Sequence, residues 1–167
     1  MSKRPGFPGL IVLLTACLSA CGYQLRGQAS LPVEMSRTFV SAIQPRADLV
    51  RQLTLLLEGN QVEVVDQKAD AGAVLHITED RFAREIQSIG TSARVREFEL
   101  HYRVGFKLET AAGKALLAEQ HLELTQVYEF NQQQVLGTSS EEELIRKDMV
   151  RSMSRQILRR LEMAGRQ

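Results

Sequence analysis

The sequence predicts an α+β fold, a two-layer sandwich with two helices packed on one face of a mostly antiparallel, roughly four-stranded sheet. Three observations carry this. Phe98, Leu100, Tyr102, Val104, Phe106 and Leu108 alternate strictly with Glu97, Glu99, His101, Arg103, Gly105 and Lys107, the period of a strand with one dry and one polar face. Leu49, Val50, Leu53, Leu56 and Leu57 form an apolar stripe at helical spacing. So do Ile145, Met149, Val150, Met153, Ile157 and Leu161 near the other end. Two such helices need a dry surface to cover, and the sheet supplies one.

The elements follow in order. Thr38 to Ile43 is a short β-type run ended by Pro45. Helix one spans the Leu49 to Leu57 stripe and stops at Gly59-Asn60. Val62 to Val65 is a brief extended piece. Val74 to Thr78 opens a longer strand that continues to about Ile89, with an irregularity expected near Ala83. The alternating strand from Val95 to Glu109 is about 50 Å long at ~3.3 Å per residue, longer than a compact sheet of this size requires. Ala111-Ala112-Gly113 makes the turn, Gly113 supplying the left-handed position. The return strand places Leu116, Ala118, Leu122, Leu124, Tyr128 and Phe130 on one face. Asn131 to Gln134 is a polar connector. Helix two is expected from Ser140, with Ser140-Glu141-Glu142-Glu143 as a capping box, to Met163, and Arg155, Arg159 and Arg160 suit its C-terminal dipole. The order is β-α-β-β-β-β-α.

The first 20 residues read as an address rather than as fold. Lys3 and Arg4 form a positive flank, and Leu10 to Leu14 begin an apolar run that reaches Leu18. That run is too short to span a bilayer, and Pro5, Gly6, Pro8 and Gly9 argue against a buried helix. This is the signal-peptide pattern. Residues 21–34, polar and carrying Gly27 and Pro32, form the tether. Residues 35–167 form a single domain, with no repeat, low-complexity tract or internal linker.

Composition narrows the function. The 167 residues are 44% hydrophobic and 25% charged, with a net charge of +1. All 20 acidic residues lie after residue 20, so the body is near neutrality with mixed signs, and no nucleic-acid partner is implied. The two cysteines, Cys17 and Cys21, both precede the domain, which excludes a disulfide framework. No phosphate loop, nucleophile elbow or His-Glu-x-x-His helix occurs. No catalytic or cofactor site is expected, and the protein reads as a non-enzyme. His101, His121 and Glu123 could in principle approach a zinc set, but a polar, solvated or partner-facing strand surface accounts for them without metal. Arg81, Arg84, Arg94, Arg96 and Arg103 gather around the Ser88-to-Ser92 turn. They solubilise a strand end or form an anion site, since guanidinium forks pair with phosphate.

Leu18-Ser19-Ala20-Cys21 resembles the bacterial lipobox, which implies cleavage before Cys21 and acylation of that cysteine. Leu14-Thr15-Ala16-Cys17 fits the short pattern too, but cleavage there leaves a shorter apolar run. Gly22 rather than Asp after the cysteine implies outer-membrane sorting. Following the lipobox come Cys21-Gly22-Tyr23-Gln24-Leu25-Arg26-Gly27 and Leu31-Pro32, then Arg96-Glu97-Phe98-Glu99-Leu100, the Asn131 loop and the acidic-capped basic last helix. Essentially the whole chain resembles the LPS-assembly lipoprotein family, LptE. The resemblance implies a lipid-anchored protein of the outer membrane that plugs the LptD β-barrel, assists its assembly and binds lipopolysaccharide, facing the periplasm and the barrel lumen. It points to Arg94, Arg96 and Arg84 as lipopolysaccharide contacts. The stretch Gln134 to Thr138, the family's second contact region, holds no Lys or Arg. The other class left open is a pilot or chaperone lipoprotein for another outer-membrane complex, such as a secretin.

Overall fold

The computed structural model describes residues 30–44, 47–89, 95–129 and 135–166, with side-chain surroundings undescribed at 88–89, 95–96 and 135–140. Residues 1–29, with the signal and most of the tether, and residues 45–46, 90–94, 130–134 and 167 lie outside that set.

After a short turn of 3-10 helix at Val33–Ser36, the chain forms β1 (Arg37–Ala42), α1 (Asp48–Glu58), β2 (Glu63–Val65), β3 (Ala73–Ile89), β4 (Val95–Thr110), β5 (Ala115–Glu129) and α2 (Val135–Ala164). The five strands form one sheet in the order β2-β1-β3-β4-β5. The sequence suggests roughly four; the three-residue β2 makes the fifth. β1 pairs parallel with both β2 and β3, while the long β3-β4 and β4-β5 ladders are antiparallel. β1 returns to its parallel neighbour β2 through α1, the crossover that parallel pairing requires.

Both helices lie on the dry face. Leu49, Leu53 and Leu57 of α1 and Met149, Met153, Ile157 and Leu161 of α2 join Leu75, Leu100, Tyr102, Val104, Phe106 and Leu108 in one buried cluster. The even-numbered residues of β4 from Leu100 to Leu108 are at most 1% exposed, the strict alternation having specified register without ambiguity. Met35, also fully buried, and Leu31 attach the start of the domain to this core.

Three local features differ from the sequence expectation. The irregularities in β3 lie between Ile77 and Glu79 and again from Ile86 to Ile89, rather than near Ala83. One extra residue at the first shifts the inward set from Ala73, Leu75 and Ile77 to Asp80, Phe82, Arg84 and Ile86, opposite Val104, Tyr102, Leu100 and Phe98. In β5 the register slips between Leu117 and Gln120, so Gln120 faces Phe106, Leu117 faces Leu108 and Ala118 is exposed. Third, α2 begins at Val135, so Ser140 is inside the helix instead of capping it.

Two glycines are required by geometry. Gly113 has φ +86° in the β4-β5 turn, the left-handed region that costs a side chain strain. Gly105, on the outer face of β4, sits under Thr78, and a Cβ there would lie 2.6 Å from the Thr78 Oγ1. The Thr78 hydroxyl donates to Glu119 at 2.7 Å, so β3 and β5 are tied across the glycine of the middle strand.

Candidate functional site

The bare face of the sheet is the broadest chemical feature of the domain. On β3, β4 and β5, Glu79, Glu85, Glu97, Glu99, Glu109, Glu119, Glu123 and Glu129 share it with Arg81, Arg103 and Lys107 as the described Lys and Arg side chains of those strands, while Arg37 of β1 pairs with Glu63 of β2. Some charges are matched. Arg103 meets Glu123 at 3.1 Å and Lys107 meets Glu109 at 2.6 Å. Arg103, then His101, holds the Glu123 carboxyl below its ordinary value, and Lys107, then His76, does the same for Glu109. Other pairs are mismatched: Glu85 stands opposite Glu99, Glu97 opposite Glu129 and Arg81 opposite Arg103. Like charges directly across a ladder destabilise an isolated sheet. This polar, predominantly acidic surface is therefore poorly explained by the stability of the domain alone.

All three histidines are on it, each beside carboxylates. His76 is 3.2 Å from Glu109, His101 is 3.3 Å from Glu123 and 3.5 Å from Glu99, and His121 is 3.7 Å from Glu79. His101 stands opposite Thr125 while His121 stands opposite Gly105. The two imidazoles are thus four residues apart along the ladder, about 13 Å. His101, His121 and Glu123 do not converge, and no metal-binding group of three ligands forms among the described residues.

On the covered side, the long hairpin is braced to α2. Glu142 accepts the Tyr128 hydroxyl at 2.7 Å and Arg84 Nη1 at 3.0 Å on one oxygen. Its other oxygen is 3.8 Å from Arg146. Burial by itself would raise the Glu142 carboxyl, but the bonds from Tyr128 and Arg84 outweigh it and leave the group below its ordinary value. Arg84 lies over the Phe98 ring at 4.7 Å and Arg146 over Phe82 at 4.5 Å. Phe82 in turn stacks on Tyr102 at 3.8 Å. Beneath this brace, a cleft of ≈ 440 Å³ between β3, α1 and α2 is lined by Asp48, Asp80, Tyr102, Arg146 and Lys147 among others. Burial raises the Asp80 carboxyl; the Tyr102 hydroxyl partly offsets this and the Asp48 charge adds to it.

Of the residues expected to hold lipid or lipopolysaccharide, Arg84 is the one whose surroundings are described. It is engaged with Glu142 and Phe98, with its side chain half exposed at 51%. Arg81 and Arg103 point to the opposite face from Arg84. Arg96 is in the first turn-proximal residues of β4, with its side chain undescribed, and Arg94 and Cys21 lie outside the described residues. Among the described arginines, the structure therefore puts Arg84 on one face of the sheet and Arg81 and Arg103 on the other. Sequence reasoning missed Tyr128 and Glu142, because no periodicity links a strand tyrosine to a helix glutamate 14 residues on.

Residues 35–161 match the LptE family model, described as lipopolysaccharide-assembly. The chain belongs to the LptE family. It is similar to the LPS-assembly lipoprotein LptE of Photorhabdus laumondii, with 23% identity over 92% of this chain and 81% of that protein. Among solved structures, an uncharacterized lipoprotein B from Nitrosomonas europaea shares 34% identity at a TM-score of 0.69, covering 83% of this chain and 88% of that one. The rare lipoprotein B from Shewanella oneidensis shares 27% identity at 0.64, covering 74% and 91%. A minor lipoprotein from Acinetobacter baumannii, at 21% identity and 0.66 over 79% and 94%, has the same fold. LptE membership makes this an LPS-assembly lipoprotein of the cell envelope, and an assembly role is what its surfaces have to explain.

Proposed function

We propose that this LptE is anchored in the outer membrane through acylated Cys21, occupies and helps assemble the LptD β-barrel, and binds lipopolysaccharide for delivery to the outer leaflet. The observation that carries the barrel reading is the bare sheet face. A domain whose outer face is polar over three long strands, with like charges left opposed, suits a wide barrel with a polar lumen. There, partner groups can neutralise carboxylates that the domain leaves unmatched. The main apolar core is already covered by α1 and α2, and Val127 is the large apolar side chain of β5 left exposed on the bare face, so a lumen contact there is mostly polar.

The acidic face is the wrong sign for lipopolysaccharide phosphates. The lipid is met instead at the far end of the hairpin, where Arg94 and Arg96 fall in sequence, with Arg84 at its base offering its exposed half. Guanidinium forks bind phosphate bidentately and keep their charge at any working pH. The test is lipopolysaccharide binding to the mature chain carrying Cys21→Ser. Reversing Arg94 and Arg96 to Glu removes charged hydrogen bonds worth roughly 1.5–3 kcal/mol each. Binding should fall at least tenfold while the melting curve stays unchanged. Undiminished binding by the double reversal would place the lipid elsewhere.

A further inference from the structure

The end of the domain opposite the hairpin tip holds a second basic surface. The last turn of α2 touches the segment through which the chain enters the fold. A Cβ on Gly165 would lie 2.7 Å from the Ser30 carbonyl oxygen and 2.8 Å from the Pro32 nitrogen. Beside this contact, Arg159, Arg160, Arg166 and Met163 line a hollow of ≈ 400 Å³ with Gln156 and Glu162. The three arginines are exposed. Among the described residues none of them is in an ion pair, whereas Arg51, Lys147 and Arg151 higher on the helices pair with Asp48, Glu143 and Asp148. Two apolar side chains stand open at the same end, Met163 at 48% and Val33 at 86% exposure.

We propose that this end docks on the membrane surface, with Arg159, Arg160 and Arg166 meeting anionic phospholipid headgroups and Met163 and Val33 entering the interface. The occupant follows from charge and from position. Unpaired guanidinium groups flanking exposed apolar side chains suit a phosphate-rich surface over a hydrocarbon layer. The placement rests on the reading of Cys21 as the anchor. Ser30 is only nine positions after Cys21, a reach of at most about 32 Å. The acylated terminus and the basic end of α2 therefore address the same patch of membrane. An acyl anchor combined with a basic patch fixes how a domain stands on the bilayer, which a flexible tether alone does not.

Flotation with vesicles tests the patch without the lipid anchor. The probe is the mature chain, residues 21–167 with Cys21→Ser, whose core is built from residues between Leu31 and Leu161. It should float with phosphatidylcholine vesicles containing phosphatidylglycerol, less so as salt is raised, and not with phosphatidylcholine alone. Each basic residue near an anionic surface contributes about fivefold in binding, so Arg159→Glu with Arg160→Glu should weaken it by at least about 25-fold. Arg51→Glu with Arg151→Glu, the same charge change elsewhere, should leave it largely intact. Equal flotation on both vesicle types, no flotation, or equal loss in both double variants would overturn the proposal. Mass spectrometry of the native N-terminal peptide decides the anchor separately: an unacylated Cys21 would remove that reading, while flotation would still decide whether the patch binds anionic lipid.

Discussion

Removing the Tyr128 hydroxyl should loosen the hairpin from α2 by a measurable and pH-dependent amount. Tyr128 is 6% exposed and its hydroxyl donates at 2.7 Å to Glu142, whose side chain is 19% exposed. A hydrogen bond to a charged group is worth roughly 1.5–3 kcal/mol. Tyr128→Phe leaves Glu142 its bond from Arg84, so the lower half, about 1.5–2 kcal/mol, is expected. Glu142→Gln loses both charge-assisted bonds and should cost about the same or slightly more. Because both variants act on one carboxylate, their effects should fall short of additivity by about 0.5 kcal/mol or more. The sign with pH follows from Glu142 being held below its ordinary 4.5. The native state then binds fewer protons at this group than the unfolded chain does. The stabilisation is complete above the unfolded value and is lost as pH falls through the lower folded one. Urea unfolding of the mature chain at neutral pH and near pH 3 measures all of this. Additive losses, or a Tyr128→Phe cost that is the same at both pH values, would refute the brace.

Other perturbations test the core and the cleft. Val104→Asp places an unpaired charge at a fully buried position and should prevent folding, as read by circular dichroism, whereas Phe98→Asp, at a half-buried position, should only lower the melting temperature. Asp80→Asn should raise stability at neutral pH, because burial raises this carboxyl and the ionised form is therefore penalised in the fold. That advantage should vanish below the ordinary value of 3.8, where Asp80 is protonated in the unfolded chain as well.

The elements most legible in the sequence are those whose side chains see two different solvents. β4 is readable almost to its ends, since its odd residues lie on the open face, Gly105 covered there by Thr78, and its even ones face the core. α1 is readable for the same reason, at its own period. The order β2-β1-β3-β4-β5 is not, because parallel pairing of short β1 with β2 and β3 leaves no local mark. The extra residue at Ile77-Glu79 is misplaced by sequence for a physical reason: Thr78 and Glu79 both suit a polar face, so the pattern there does not reveal which of them is the additional one. Capping chemistry points to Ser140 as the start of α2, yet the helix continues backward to Val135. At the candidate site the lipobox needs no structure to be seen. The division of the arginines does need it, since the bulge determines that Arg84 lies toward α2 while Arg81 lies on the open face. Arg159 and Arg160 are visible in sequence only as dipole-complementing residues; the contact of Gly165 with Ser30 places them beside the tether.

The most direct test of the assembly role is purification of the native lipoprotein from outer membranes in mild detergent, with identification of whatever β-barrel comes with it. LptD in stable, near-equimolar complex is expected, together with loss of correctly assembled LptD when the lipoprotein is depleted. Recovery with a secretin instead, or unaltered LptD after depletion, would contradict that role.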